Sequence, residues 1–296
     1  MSTALVTDAA MKDHDPGPGH PEQVARYDAV MKALRASGDL AKMTAVPSRK
    51  ATWDDAALIH TRDYLKTVER DVAAGRPALS TGDTDIGPGS LDAAFLAVGS
   101  VQNAVDEVIA QRAKNAFCVV RPPGHHATPI RGMGFCLFNN IAIGARYAQR
   151  KHGLDRILIA DWDVHHGNGT QDAFYEDGSV LFMSTHQSPW YPGTGAASET
   201  GEGKGKGSTM NFPFPSGTGR EDLLPAFSKK LKTAADAFKP DLEMISAGFD
   251  SRTGDPLGQF RLTDADFVEL TNAMAEIATK HAQSRLVSVL EGGYNL

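Results

Sequence analysis

The sequence is sparing with cysteine: Cys118 and Cys136 are the only two in 296 residues. They form no CxxC motif and are read as reduced core residues. Long apolar runs are missing as well. None approaches the ~20 residues that a membrane-spanning helix needs, so no membrane association is expected. No run of Lys or Arg is long enough to mark a nucleic-acid footprint, and the formal net charge of −6 points the same way. That sign leaves a basic peptide open as a substrate. The first residues, Met1 to Asp8, carry neither a basic segment nor a long apolar one, so no secretory signal is expected and a cytoplasmic location is. Linkers and shifts of composition are also wanting, and residues 1–296 are read as one domain.

What is present is an ordinary globular balance, 41% hydrophobic and 22% charged, with ample material for a large core. Periodicity predicts a helix from Glu22 to Gly38 and a long helix capped by Ser90. It predicts further helices ending near Gly153, from Glu221 to Phe238 and from Asp264 to His281. Between them lie short apolar runs read as strands: Ala4–Thr7, Ala116–Val120, one from Ile157, Val180–Ser184, Leu242–Ala247 and Leu286–Leu290. Residues 79–89 and 193–207 read as loops. This alternation predicts an α/β fold, a mostly parallel sheet flanked by helices on both faces.

The chain is organised around Ile157 to Gly169, where an apolar strand runs into Asp161, Asp163, His165 and His166 and then a glycine turn. Strand side chains alternate faces, so Asp161, Asp163 and His165 point the same way if the chain stays extended. Buried carboxylates left unpaired are costly, so the group needs a metal or a dense hydrogen-bond network. In parallel α/β sheets ligands bind beyond the carboxyl ends of the strands. Four strands here run into loops bearing His125 and His126, Asp163 and His165, Asp250, and Tyr294.

Asp163, His165 and Asp250 are the candidate metal ligands. Three protein ligands with an open position suit a catalytic zinc, and the same donors suit Fe(II), Mn(II) or Co(II). His125 and His126 follow Pro-Pro-Gly, a stiff backbone, and are read as a general base and acid pair. Asp161 and Asn168 are placed to orient these imidazoles. Tyr294, after two glycines, is placed to reach a developing oxyanion. Residues 13–21 and the stretch Trp190 to Gly195 are candidates for the rim of a pocket. The segment Gly201 to Gly207 lacks the spacing of a phosphate loop and reads as a surface crossover. His60, His152 and His281 are expected to be structural or exposed and without partners.

In one order the chain carries Arg-Pro-Pro-Gly-His-His126, Gly-Phe-Cys136, Asp-Trp-Asp-Val-His-His-Gly-Asn-Gly169, Ser-Ala-Gly-Phe-Asp250, Gly-Asp-Pro-Leu257 and Glu-Gly-Gly-Tyr-Asn-Leu296. With these motifs it resembles the zinc-dependent histone deacetylases, of the class II type with its bacterial deacetylase and amidohydrolase relatives. The resemblance implies the arginase–deacetylase α/β fold and hydrolysis of an N-acetyl amide to acetate and a free amine. It implies Zn²⁺ held by Asp163, His165 and Asp250. His126 would be the principal general base and acid, and His125 its electrostatic partner backed by Asp161. Tyr294 would hydrogen-bond the substrate carbonyl and the tetrahedral oxyanion. Phe135 and Tyr191 would be the aromatic walls of a narrow acyl-lysine tunnel, with Gly134 on its rim. The resemblance further implies K⁺ beside the zinc, at Asp161, Asp163, His165, Ser184 and Thr185, and a second K⁺ around Phe174, Asp177 and Val180. Asn168 stands where class I enzymes carry an aspartate, and Tyr191 replaces a commoner phenylalanine. The sequence ends two residues after Tyr294, where relatives continue.

Three rivals are weighed against this. Acetylpolyamine deacetylases share the implied fold and chemistry but place an acidic gatekeeper at the mouth. Leu257 stands at the matching position, which favours acyl-lysine, although selectivity through dimerisation stays open. A silent acyl-lysine binding module would not need every catalytic residue, and all are present. A two-metal ureohydrolase would need an aspartate two residues after His165, where Gly167 stands. The expected partner is an acetylated lysine peptide or protein, or a small acetylated amine, with oligomerisation left open.

Overall fold

The computed structural model describes residues 2–296. Among them eight strands form one sheet: β1 (Thr3–Thr7), β2 (Thr44–Val46), β3 (Asn115–Val119), β4 (Ile157–Asp161), β5 (Val180–Gln187), β6 (Thr209–Phe214), β7 (Leu242–Ala247) and β8 (Leu286–Leu290). Their order is β2-β1-β3-β8-β7-β4-β5-β6, and every strand pairing is parallel. A parallel sheet covered on both faces buries both sets of side chains, which is why β4 and β5 open on the apolar runs Ile157–Ala160 and Val180–Met183 and are buried throughout.

Alternate residues of the central strands divide between two cores. Ile157, Ile159, Phe182, Met244 and Val289 pack with Val101, Val105, Ile141 and Ala145 of the helices Ser90–Ile109 and Asn140–His152. Leu158, Leu181, Ile245 and Leu286 face the other way, against Leu223, Phe227, Leu270 and Met274. Gly153 ends its helix in the left-handed conformation, φ 66°, as the sequence suggests.

Several elements differ from expectation. The first helix spans Ala25–Ala36 rather than starting at Glu22, because Glu22 is turned inward and wholly buried. Ser90 is not the N-cap. It is the first helical residue, and its hydroxyl accepts from the Gly87 N–H at 2.7 Å and meets His14 Nδ1 at 2.7 Å. The helix expected over 221–238 contains a wide π turn, Ala226–Leu231, directly after Pro225, which has no N–H to give the ladder. β2 and β6 carry too weak a pattern to be expected. The helix Arg62–Ala73 is also additional, although its signal is plain: Thr61 caps it and Tyr64, Leu65 and Val68 form a buried stripe at helical spacing. Residues 193–207 are a loop apart from a short turn at Gly203–Gly205.

A buried ion cluster ties the amino-terminal segment to the sheet. Arg121, just past β3, grips the Glu22 carboxylate with two hydrogen bonds of 2.6 Å, and Arg26 Nη1 adds one of 3.0 Å. Burial alone would raise the Glu22 carboxyl, but His14, Arg121 and Arg26 outweigh it and bring it to about 2 from 4.5. Since the folded value lies below the unfolded one, ionised Glu22 stabilises the fold above pH ~4.5, and that contribution fades as pH falls towards ~2. Glu22→Gln is expected to cost on the order of 3 kcal/mol at neutral pH. It should also flatten the acid limb of a plot of urea midpoint against pH.

Candidate active site

β3, β8, β7 and β4 are consecutive neighbours in the sheet and parallel, so their carboxyl ends open on one edge. The loops that follow them bring His125 and His126, Glu291 and Tyr294, Asp250, and Asp163 and His165 together, all of them buried. Asp163 and His165 do not share a face with Asp161 through strand alternation, as expected of an extended chain. β4 ends at Asp161, and the next residues are not extended. They turn through side-chain hydrogen bonds to the backbone: Asp163 N–H donates to Asp161 Oδ1 at 3.0 Å and His165 N–H to Asp163 Oδ1 at 2.9 Å. These short-range bonds aim Asp163 and His165 inward.

One ligand atom each from Asp163, His165 and Asp250 lie within 4.8 Å of one another. His165 Nδ1 stands 2.9 Å from Asp163 Oδ1 and 3.2 Å from Asp250 Oδ2. The second approach is out of line for a hydrogen bond, which leaves Asp250 Oδ2 buried and without a donor. Burial disfavours the His165 cation, yet Asp163 and Asp250 outweigh burial and lift it to about 10. Burial and the Asp163 charge raise the Asp250 carboxyl to about 7. The His165 proton thus sits between two carboxylates, where a divalent cation is the natural alternative. Two carboxylates, one imidazole and an orphaned oxygen fit such an ion. Room for it is kept by glycine: a Cβ on Gly248 would collide with the Asp163 carboxylate, and one on Gly292 with that of Asp250.

The two adjacent histidines are driven apart electrostatically. His125 Nδ1 lies 2.9 Å from Asp161 Oδ2 and Nε2 lies 3.8 Å from Asp163 Oδ2. Against burial, these carboxylates hold His125 well above its ordinary value. His126, its ring 4.0 Å from that of His125, is held well below by burial and by the positive charges of His125 and His165. Its Nδ1–H donates to Asn168 Oδ1 at 2.8 Å, so Nε2 carries the free lone pair. Opposed protonation in neighbouring groups is how a site separates an acid or electrostatic role from a base.

Above them is a cavity of about 260 Å³ lined by His126, His165, Phe135, Tyr191, Leu257 and Tyr294, with Gly134, Trp190 and Asp83 at its wall. The Tyr191 ring meets that of His126 at 5.2 Å, and the Phe135 ring meets that of Tyr294 at 5.9 Å, both edge to face. Trp190 Nε1 donates to Leu257 O at 2.8 Å, joining two sides of the rim. His20, of the loop 13–21, stands edge-on to Phe135 at 4.6 Å.

The residues expected around K⁺ fall in two places. Asp161 and Ser184 are register partners on β4 and β5, with Thr185 Oγ1 donating to the Asp161 carbonyl at 3.4 Å. Phe174, Asp177 and Val180 belong to one turn, whose Asp177 carboxylate pairs with Arg146 at 2.8 Å. The expectation that His60, His152 and His281 lack partners is wrong. His60 is buried between Thr128 O at 3.0 Å and Asn139 N at 2.9 Å, while His152 and His281 pair with Asp106 and Asp236, each at 2.7 Å.

Three further residues, Glu291, Arg26 and Asp255, position the site without belonging to the expected set. Glu291 Oε2 accepts from the N–H groups of Gly124 and His125 at 2.7 and 3.1 Å, fixing the histidine loop. Its signal was present: it follows β8 directly, as an acid at a strand end. Arg26 donates to Gly293 O at 2.7 Å and covers the Tyr294 ring at 4.8 Å, and Asp255 Oδ2 accepts from Tyr294 N–H at 2.7 Å. Nothing local in the sequence marks these two.

Fold and site together define a candidate metal centre beside a histidine pair, set at the carboxyl ends of a parallel α/β sheet, and comparison with known proteins gives its family. The histone deacetylase domain matches residues 20–296. A probable deacetylase of Archaeoglobus fulgidus is 40% identical over 298 aligned residues, covering 100% of this chain and 82% of the relative. The histone deacetylase-like amidohydrolase of Pseudomonas aeruginosa is 37% identical, with coverages of 94% and 73%. The crystal structure of the HDA15 HD domain superposes with a TM-score of 0.93 at 37% identity, covering 100% of this chain and 84% of that one. The chain belongs to the histone deacetylase family and has that family's single-domain fold. Among the described residues, no helix is long and apolar enough to cross a membrane.

Calorimetric titration of metal-free protein with Zn²⁺ is expected to show one site per chain. Asp250→Ala should weaken it by more than roughly 100-fold, beyond the range for residues that only support a ligand.

Proposed function

We propose that residues 1–296 form one deacetylase catalytic domain that hydrolyses the N-acetyl amide of lysine side chains to acetate and a free amine. The reading is carried by one observation: His125, paired with Asp161, and His126, hydrogen-bonded to Asn168, lie side by side next to the Asp163–His165–Asp250 cluster, at the floor of an aromatic-walled cavity. Asp163, His165 and Asp250 would hold Zn²⁺. Bound there, the ion would supply Lewis acidity to the amide carbonyl and lower the pKa of water towards ~7.

The chain's own groups do the remainder. His126 Nε2 takes a proton from the attacking water and returns it to the departing amine. Asn168 keeps the proton on His126 Nδ1, so the reactive nitrogen is always Nε2. His125, held as a cation by Asp161, favours negative charge as it develops. Tyr294 donates its hydroxyl to the oxyanion; burial, with the Asp250 and Asp163 charges, keeps that phenol well above its ordinary value and therefore protonated. Phe135 and Tyr191 exclude water from the lysine stem, with Gly134 and Leu257 at the rim.

Class II character rests on Asn168. K⁺ in a structural role, at Asp161, Asp163, His165, Ser184 and Thr185 and around Phe174, Asp177 and Val180, rests on the motif resemblance and on the burial of the first group. The two free, buried cysteines fit a reducing compartment, hence a cytoplasmic location. A second reading, acetylpolyamine deacetylation, is favoured by one feature: the Asp83 carboxylate at the cavity wall offers a partner to a second ammonium.

Acetate release from an acetyl-lysine peptide and from N-acetylputrescine, at matched concentrations of metal-replete protein, tests the reading. Peptide preference is expected; preference for the diamine would move the enzyme to polyamine chemistry, and silence on both would sink the deacetylase. Tyr294→Phe is expected to lower kcat about 100- to 1,000-fold with a smaller change in KM, as for loss of one oxyanion donor.

A further inference from the structure

Asp83 lies outside the catalytic cluster, on the loop 79–89, yet it touches both sides of the cavity. Its Oδ1 accepts from Gly134 N–H at 2.9 Å, immediately before Phe135, and its Oδ2 accepts from the Tyr191 hydroxyl at 2.9 Å. One carboxylate therefore joins the backbone that carries the first aromatic wall to the side chain that forms the second.

The loop holding Asp83 is itself fastened to the segment 132–136. Thr81 Oγ1 donates to Gly132 O at 3.2 Å and accepts from Gly132 N–H at 3.3 Å. Thr84 is buried, its carbonyl accepting from Leu79 N–H at 2.9 Å, and Ile86 N–H donates to Pro77 O at 2.9 Å. Asp83 is thus presented from a firm base. Neighbouring Asp85 stands 3.8 Å from His20, the ring that packs edge-on against Phe135. Both walls are braced from this one loop.

We propose that Asp83 is a positioning residue that locks Tyr191 to the Phe135 backbone and thereby fixes the bore of the tunnel, selecting acetyl over larger acyl groups. The inference rests on the deacylase reading of the site. A phenylalanine at 191 keeps the wall but loses the tie, and its ring is then free to move between staggered rotamers and admit a longer chain. The bond is charge-assisted, but Asp83 is exposed and water competes for it. The effect on selectivity is therefore moderate.

The test measures kcat/KM on acetyl-lysine and butyryl-lysine forms of one peptide, using metal-replete wild type, Tyr191→Phe, Asp83→Ala and the double variant. The butyryl-to-acetyl ratio is expected to rise roughly 3- to 10-fold in each single variant, the range for one solvent-accessible hydrogen bond. It should rise no further in the double variant, because both changes break the same tie. An unchanged ratio in Tyr191→Phe, or single effects that multiply in the double, would overturn the proposal. Hydrogen exchange over residues 188–195 probes the brace without turnover: faster exchange in both single variants supports it, and unchanged rates reject it. A wild type that releases neither acid removes the deacylase reading and the selectivity clause with it, while the exchange measurement still decides whether the brace exists.

Discussion

Four carboxylates, Asp161, Asp163, Asp250 and Glu291, are buried together at the carboxyl ends of adjacent strands, and each is fully shielded from water. Removing even one such charge from water costs several kcal/mol unless it is met by protons, N–H groups or a cation. Much of the surrounding structure answers that demand. Glu291 takes two backbone N–H groups, Asp161 takes His125, and Asp163 takes His165 and the Gly292 N–H at 2.8 Å. Only Asp250 Oδ2 is left without a donor, and it faces the place where the ligand atoms converge. The site is thus a negative charge distribution completed on every side but one.

The tyrosine is governed from far away in sequence. Its backbone is held by Asp255 on one flank and, through Gly293, by Arg26 on the other, and Arg26 is itself anchored on Glu22. Glu22 is in turn clamped by Arg121 from the end of β3. The amino-terminal helix, the histidine loop and the tyrosine loop therefore share one buried ion network. The hydroxyl of Tyr294 is spared from that work, although its ring lies under a guanidinium.

The parallel fold and the catalytic cluster could be read from the sequence because their signals are local. Continuous apolar runs such as Ile157–Ala160 announce buried strands, and each ends in residues too polar to be buried without a purpose. The route to the geometry was less visible: Asp163 and His165 reach their places through backbone turns, not strand alternation. Glu22, Arg26, Asp83 and Asp255 escaped notice because each matters through a partner remote in sequence. Asp83 and Tyr191 are 108 positions apart, and no periodicity links them. The short edge strand β2 is illegible for a different reason: with none of its three residues buried, it lacks the apolar run that marks the centre of a sheet.

The glycines pressed against the carboxylates have an evolutionary consequence. At Gly248 and Gly292 the smallest possible side chain would meet a ligand oxygen. Substitution there deforms the centre first, while the surrounding cores remain intact. Single steps away from glycine thus offer no graded series of weaker or altered centres. The rim differs: Trp190, Tyr191 and Leu257 are only partly buried and have free space on one side. Divergence in what this scaffold accepts is therefore channelled to the mouth, and its chemistry is inherited whole or lost whole.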